Sequence, residues 1–475
     1  MIHTDQSAAP GGTATATLAA PSRTASRIAS LPEAPAFEIL QNRPGTEPGV
    51  YLTTPQSPHA LDAPHGPLII DGQGKPVWFH PVPDGQLAAD LRVQLYRGRP
   101  VLTWWQGTFH DMSHGRGVGY IVDENYQVIA TVEGSGPADL HEFRLTSRGT
   151  ALLMSYLPRT MDLTHVGGPE DGRILDGVIE EVDIPTGTVV WQWSSLDHIP
   201  VTESDIPYGL LPLPYDYLHL NSVDEDANGD LLISGRYTSA LYKVDRRTGE
   251  VVWRLGGRQS TFPLGTGVRF GWQHDATWAE PDVIKVFDNA TVDMWPGWES
   301  RVAWIRVDAA RSETTLVRDL THPGHLSTTR EGAAQDLPGG GTIVTWGPTG
   351  RISEFAPDGN LLFDAQLPEE WSSYRVYKFA WDGRPADPPS AVVQDGAVHA
   401  VWNGATDIAR WRLLAGSSAD TLEQVAHADW NGLDTPIALP GTASDAAFVQ
   451  VEALNGAGEP IGSSAVVSLA EVSGR

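Results

Sequence analysis

Cysteine is absent from the 475 residues, which excludes disulfides, thiol nucleophiles and every thiolate metal site. The compartment stays open on this count, because exported proteins can also lack cysteine. Basic residues are few: 32 Lys and Arg stand against 59 Asp and Glu, a formal charge of −27. Phosphate backbones are bound through clustered cations, so no nucleic-acid partner is expected, and an anionic small molecule would need a local cationic pocket. Long apolar runs are also missing. No stretch approaches the roughly 18–20 apolar residues of a membrane span, so no membrane partner is expected. Residues 1–36 are rich in Ala, Thr, Ser and Pro, with neither the charged start nor the apolar centre of a secretion signal. They read as a disordered arm. That reading favours the cytoplasm, with export through a leader outside this chain as the alternative.

The chain is rich in turn formers, with 49 Gly and 36 Pro, and it carries 17 Trp. Its length exceeds what one hydrophobic core usually serves, roughly 250–300 residues, so a repeat architecture is the first thing to test. The clearest unit runs from His219 to Gly257, HLNSVDEDANGDLLISGRYTSALYKVDRRTGEVVWRLGG. It parses as four short strands joined by D-x-N-G-D and R-x-T-G-E turns, the composition of one propeller blade. The same grammar covers Arg92–Glu133, His141–Ser194, Gln273–Asp308 and Gly332–Leu367. A sixth unit forms if Pro67–Val82 pairs with a returning strand in Tyr374–Trp381, which joins the two ends of the repeat. The prediction is an all-β chain with a six-bladed β-propeller over residues 37–381.

After Asp382 the grammar changes. A Pro-rich linker, 382–390, leads into alternating strands with turn signals every ten or so residues over 391–475, which read as a small fibronectin-III or immunoglobulin-like β-sandwich. No catalytic constellation is visible in it.

Equivalent loops of successive blades converge at one mouth of a propeller, where ligands bind. Aligning the units on their first strand brings His141 (DLHEF), His219 (YLHLNS) and His274 (WQHDAT) to the same position. By contrast, His59, His65, His80, His110, His114, His165, His198, His322 and His325 lie in loops or outside that register and read as mostly solvated. The FHDMSHGRG insert around His114 is the exception that caps the same mouth. Asn221, two residues after His219, faces the same side of its strand. Arg236 ends the next strand, and an inward guanidinium matches a sulfate, phosphate or carboxylate; a salt bridge to Asp275 is the structural alternative. The tryptophans of TWWQG and DMWPGW are candidates for an aromatic pocket.

With these residues in hand, the chain resembles the bacterial arylsulfate sulfotransferases, which move a sulfuryl group between phenols without a nucleotide sulfate donor. The resemblance spans about residues 67–381 and rests on HEF at 141, H-x-N-S-V at 219, S-G-R at 234, the run ending at Gly257, Q-H-D at 273 and F-D-N at 287, in that order. It implies that His274 is the nucleophile of a ping-pong reaction through a sulfohistidine. It also implies that His219, Asn221, Arg236 and His141 bind the sulfuryl oxygens and handle the phenol proton. The partners are then an aryl sulfate donor and a phenolic or other hydroxyl acceptor, with no cofactor and no metal. Asp275 or a backbone carbonyl is expected to fix the His274 tautomer. Two other readings use the same residues: a metal-dependent lyase or hydrolase with the three histidines as ligands, and a non-catalytic ligand-binding propeller.

Overall fold

The computed structural model describes residues 34–57, 63–109, 113–290, 299–394 and 396–469. Most of the expected N-terminal arm, with His59, His110 and the DMWPGW segment, lies outside them. Turn chemistry explains the hairpins that dominate the rest. At Asp226 the carboxylate Oδ1 accepts from the backbone N–H of Asn228 (2.8 Å) and of Asp230 (3.1 Å). Gly229 closes the same turn at φ +85°, a left-handed backbone that glycine adopts without a Cβ clash.

Six antiparallel sheets follow one another between Glu38 and Phe379. The second holds Leu87–Tyr96, Arg99–Phe109, Gly115–Val122 and Val128–Val132. The third holds Phe143–Leu145, Thr150–Met161, Gly172–Asp183 and Thr188–Ser194, and the fourth Leu220–Glu225, Leu231–Gly235, Ala240–Val244 and Val251–Gly256. The fifth is His274–Glu280, Val283–Asp288, Arg301–Asp308 and Glu313–Thr321, and the sixth Ala333–Asp336, Thr342–Thr345, Arg351–Phe355 and Leu361–Gln366. The first sheet corrects the expected pairing. Val376–Phe379 returns to bond Val50–Thr53, and only then do Leu68–Ile70 and Pro76–Phe79 follow. The sixth sheet also gains an edge strand, Glu38–Asn42, paired with Leu361–Gln366.

Consecutive sheets bury their faces against each other. Leu102 and Val122 of the second sheet pack on Leu52 and Ile69 of the first; Leu153 and Val182 pack on Val101 and Ile121; Val223 and Ile233 pack on Leu152 and Ile179. Ile284 and Val286 pack on Leu232 and Leu241, and Val344 and Phe355 pack on Val283 and Phe287. The succession closes on itself: Tyr51 of the first sheet stacks on Phe363 of the sixth at 4.6 Å between ring centroids, and Val376 N–H donates to Thr345 Oγ1 (2.8 Å).

Where the first strands meet, the side chains are charged. Arg375, fully buried, holds Asp90 (3.2 Å), Glu142 (3.2 Å) and Asp275 (3.5 Å) and donates to the Asn221 carbonyl (3.1 Å), while Arg92 also pairs with Asp90 and Glu142. Five sheets thus converge on one guanidinium. Burial on its own would raise the pKa of Glu142, but Arg375, Arg92 and Arg144 outweigh it and hold the carboxyl at about 2.

Two further sheets follow: Ser390–Gln394, Ala397–Val401 and Asp434–Ala438 in one, and Arg410–Gly416, Glu423–Asp429, Phe448–Leu454 and Pro460–Ser463 with Val467–Ser468 in the other. Alternating residues of both bury around Trp411, among them Val398, Ile437, Leu413 and Val451. The connection is not loose. Asn403 exchanges two bonds with the backbone of Phe79 (2.9 and 2.8 Å), the N–H of Gly404 donates to Val77 (2.9 Å) and that of Arg384 to Glu124 (2.7 Å). Among the described residues no helix is long and apolar enough to cross a membrane.

Candidate active site

A cavity of about 580 Å³ opens where the loops preceding the first strands converge, and His141, His219, His274 and Arg236 all line it. His141 stands just before Phe143–Leu145, His219 just before Leu220–Glu225, and His274 opens His274–Glu280. His141 and His219 lie 4.9 Å apart between ring centroids. His219 takes φ +52°, a left-handed conformation costing roughly 1–2 kcal/mol for a residue with a Cβ. Asp216 Oδ1 accepts its N–H (2.9 Å) and the Arg236 N–H donates to its carbonyl (3.0 Å), so the strained residue is held from both sides.

Each imidazole is oriented through Nδ1, but the acceptors differ. His219 donates to Asp216 Oδ2 (2.6 Å) and His141 to Asp139 Oδ2. His274 instead meets the amide Oδ1 of Asn289 (2.7 Å). The Asn289 amide nitrogen donates to the carbonyls of Glu331 (2.9 Å) and Thr328 (3.3 Å), so its oxygen faces the ring and the His274 proton sits on Nδ1. Asp275, the expected partner, is engaged elsewhere: its carboxylate accepts from Ala334 N–H (2.9 Å) and pairs with Arg375. The Nε2 lone pair of His274 takes a long bond from Glu331 N–H (3.2 Å).

Burial pushes His219 down to about 4 against the pull of Asp216, and burial followed by Arg236 holds His274 well below its usual 6.5. Burial would raise Asp216, but the His219 and His114 rings outweigh it and keep the carboxyl well below the usual range. At neutral pH His219 and His274 therefore present imidazole lone pairs backed by fixed acceptors.

Arg236 forms no salt bridge to Asp275. Its guanidinium lies over the rings of Trp272 (4.5 Å) and Tyr237 (4.9 Å), bonds the Tyr237 side chain and donates to the Thr329 carbonyl (2.9 Å), and leaves Nε buried without a hydrogen-bond partner among the described residues. Burial lowers its pKa, yet an arginine remains a cation here. A buried cation with a spare donor is a site prepared for an anion.

Asn221 departs from its expected place. It is fully buried, does not line the cavity, and spends its amide nitrogen on the Gln273 carbonyl (2.7 Å), bracing the residue before His274. Trp104 and Trp105 are core residues, and Trp272 supplies the aromatic wall. His65, His114 and His322 are buried rather than solvated, and His114 lines the cavity with its Nε2 3.1 Å from Asp216 Oδ2. The Asp partners had a legible signal in D-L-H and D-Y-L-H; Asn289 stood inside F-D-N with no role given to it.

Among the described residues one group of ligating side chains is close enough to share an ion: His114, Asp216 and His219. It holds a single member of the histidine trio, and Asp216 Oδ2 is already committed to both rings. The three-histidine ligand set is thus not assembled.

The arylsulfotransferase (ASST) family matches residues 92–367. No curated protein matches the sequence. Solved structures that match include a protein of unknown function from Bacteroides caccae (10% identity, TM-score 0.43, covering 70% of this chain and 99% of that one). They also include the periplasmic gluconolactonase PpgL of Pseudomonas aeruginosa (11%, 0.37, 82% and 99%) and a catalytically inactive virginiamycin B lyase from Staphylococcus aureus with quinupristin (10%, 0.34, 77% and 96%). Likeness at this level bears on neither substrate nor mechanism. The family match covers more than half of the chain and contains every histidine of the trio with Arg236, and on that ground the protein belongs to the arylsulfotransferase (ASST) family.

Proposed function

We propose that the protein transfers a sulfuryl group from an aryl sulfate to a phenolic or other hydroxyl acceptor, without a nucleotide donor, in a ping-pong reaction through a sulfohistidine at His274. The observation that carries this reading is the pairing in one cavity of a neutral imidazole, its Nε2 lone pair turned inward, with a buried guanidinium that has no carboxylate partner among the described residues.

In the first half-reaction the Nε2 lone pair of His274 displaces Glu331 N–H, forms a bond to sulfur and breaks the sulfur–oxygen bond to the donor phenol. Arg236 meets the charge on the sulfuryl oxygens as it shifts, a contribution largest in a site closed to water. Nδ1 keeps its proton, so the intermediate is a sulfo-imidazolium. Its backing by an amide and not a carboxylate leaves the cationic ring less stabilised and the sulfuryl group easier to pass on. In the second half the acceptor O–H gives its proton to Nε2 of His219, with His141 as the neighbouring base, while its oxygen takes the sulfuryl group. Asp216 steadies the imidazolium so formed. That ring then donates to a sulfuryl oxygen and returns the proton to the next phenolate that leaves. Proton handling and anion holding are one event, because a histidine whose Nδ1–H is fixed can donate from Nε2 only after protonation.

We read the six sheets as blades of a propeller domain over residues 37–381, with 382–390 as the connection and 391–475 as a fibronectin-like sandwich. The test is incubation with 4-nitrophenyl sulfate alone, followed by rapid acid-free quench and peptide mass analysis. An acid-labile SO3 adduct on His274 is expected, absent from His274→Ala, which also loses transfer. Robust turnover with no adduct on the chain defeats the ping-pong route.

A further inference from the structure

A second, smaller cavity of about 180 Å³ adjoins the first, and the two share His114, Leu175 and Pro214 in their walls. Its remaining surface is Tyr156, Leu157, Pro137 and Pro158 with Gly115, and two guanidinium-bearing residues, Arg116 and Arg173, stand in its lining. Both arginines are exposed. Their neighbours are satisfied in the ordinary way: Arg144 pairs with Asp224 (2.9 Å) and Arg159 with Asp176 (3.6 Å). Among the described residues Arg116 and Arg173 have no such carboxylate, in a chain where acids outnumber bases by 59 to 32.

The backbone beneath each is held beyond its own sheet. Gly117, next to Arg116, exchanges two bonds with Ala138 (2.9 and 2.8 Å), and the Gly115 N–H donates to Asp139 Oδ1 (2.7 Å). The Arg173 carbonyl accepts from Tyr215 N–H and Leu175 N–H donates to the Tyr215 carbonyl, both at 2.9 Å. Two cations are thus carried on braced backbone, and what binding has to order is their exposed side chains.

Resting on the sulfotransfer reading, we infer that the preferred acceptor is an anionic phenol. Its hydroxyl reacts in the main cavity, and its acid group reaches past His114 to lie between Arg116 and Arg173. The apolar wall of Tyr156, Leu157 and the prolines suits the linking part of such a molecule, and a guanidinium pair suits a carboxylate. The carboxylate end would sit near solvent, so the attraction weakens with added salt.

The experiment follows 4-nitrophenolate release from 4-nitrophenyl sulfate with 3-(4-hydroxyphenyl)propanoate or its methyl ester as acceptor. The acid is expected to exceed the ester in kcat/KM by about tenfold, through KM, and the margin is expected to shrink at 0.5 M NaCl. Arg116→Gln with Arg173→Gln is expected to slow the acid much more than the ester. Equal use of acid and ester by the unaltered protein, or an equal loss of both in the double variant, overturns the acceptor assignment while leaving sulfotransfer intact. No nitrophenolate release with either acceptor overturns the sulfotransfer reading itself, and this inference with it.

Discussion

Neighbouring residues where the first strands begin serve two layers of opposite character. His141 and His274 face the cavity, whereas Glu142 and Asp275, the next residues along, turn away from it into the buried cluster around Arg375. Each pair stands where a first strand begins, so two adjacent positions feed both layers. In the inner layer charge is matched by charge and holds the sheets together. In the cavity layer burial strips charge from His219 and His274 and leaves lone pairs beside the buried cation of Arg236. Stability and chemistry are thus divided between adjacent residues.

The sharpest way to break this division is Arg375→Met. It takes the shared guanidinium from three buried carboxylates, leaving Arg92 to Asp90 and Glu142 and no ion pair to Asp275 among the described residues, and losing one partner of a buried pair costs about 3–5 kcal/mol. Urea unfolding is expected to show that loss, whereas His274→Ala is expected to unfold at nearly the parental urea concentration and to lack activity. A small stability change in the arginine variant would show that the inner layer does not carry the structural load assigned to it.

Asp216→Asn tests the cavity layer. It removes the carboxylate that steadies the His219 imidazolium, and kcat is expected to fall on the order of 10²-fold with the fold intact by circular dichroism. Asn289→Asp sharpens the contrast within that layer. A carboxylate behind His274 stabilises the sulfo-imidazolium, so the adduct is expected to accumulate under donor alone and to pass its group on about tenfold more slowly. Unchanged adduct lifetime would deny the amide its role.

Acid supplies the mildest perturbation. His219 sits at about 4 in the folded protein and near 6.5 when unfolded, so between those values the unfolded chain binds a proton that the folded one does not. Stability is expected to fall as pH drops from 6.5 towards 4, with a shallower melting-temperature slope in His219→Gln. The acid limb of kcat/KM is expected near pH 4 to 5, below that of a solvated histidine.

The hairpins and the histidine register were legible in the sequence because turn residues and period-2 alternation are local. The strand Val50–Thr53 was not: four residues between Pro-Gly and Thr-Pro carry too little pattern, and their partner lies more than 300 residues away. Arg375 reads as one polar residue in an alternating strand, and its burial has a reason only once Asp90, Glu142 and Asp275 arrive from three other sheets. Asn221 misled for a related cause. Facing the same side as His219 on a flat strand, it is turned aside by the irregular pairing between Leu220 and Ser222. Asp139 and Asp216 could have been found, since each lies two or three residues before its histidine.

Closure by Val376–Phe379 also imposes an order on biosynthesis. All three histidines, both aspartates behind them and Arg236 leave the ribosome before residue 375, yet the guanidinium that gathers Asp90, Glu142 and Asp275 comes after them, with the strand that finishes the first sheet. A chain ending in the sixth sheet would hold every imidazole of the trio and Arg236, yet lack the guanidinium that joins Asp90, Glu142 and Asp275 beneath them.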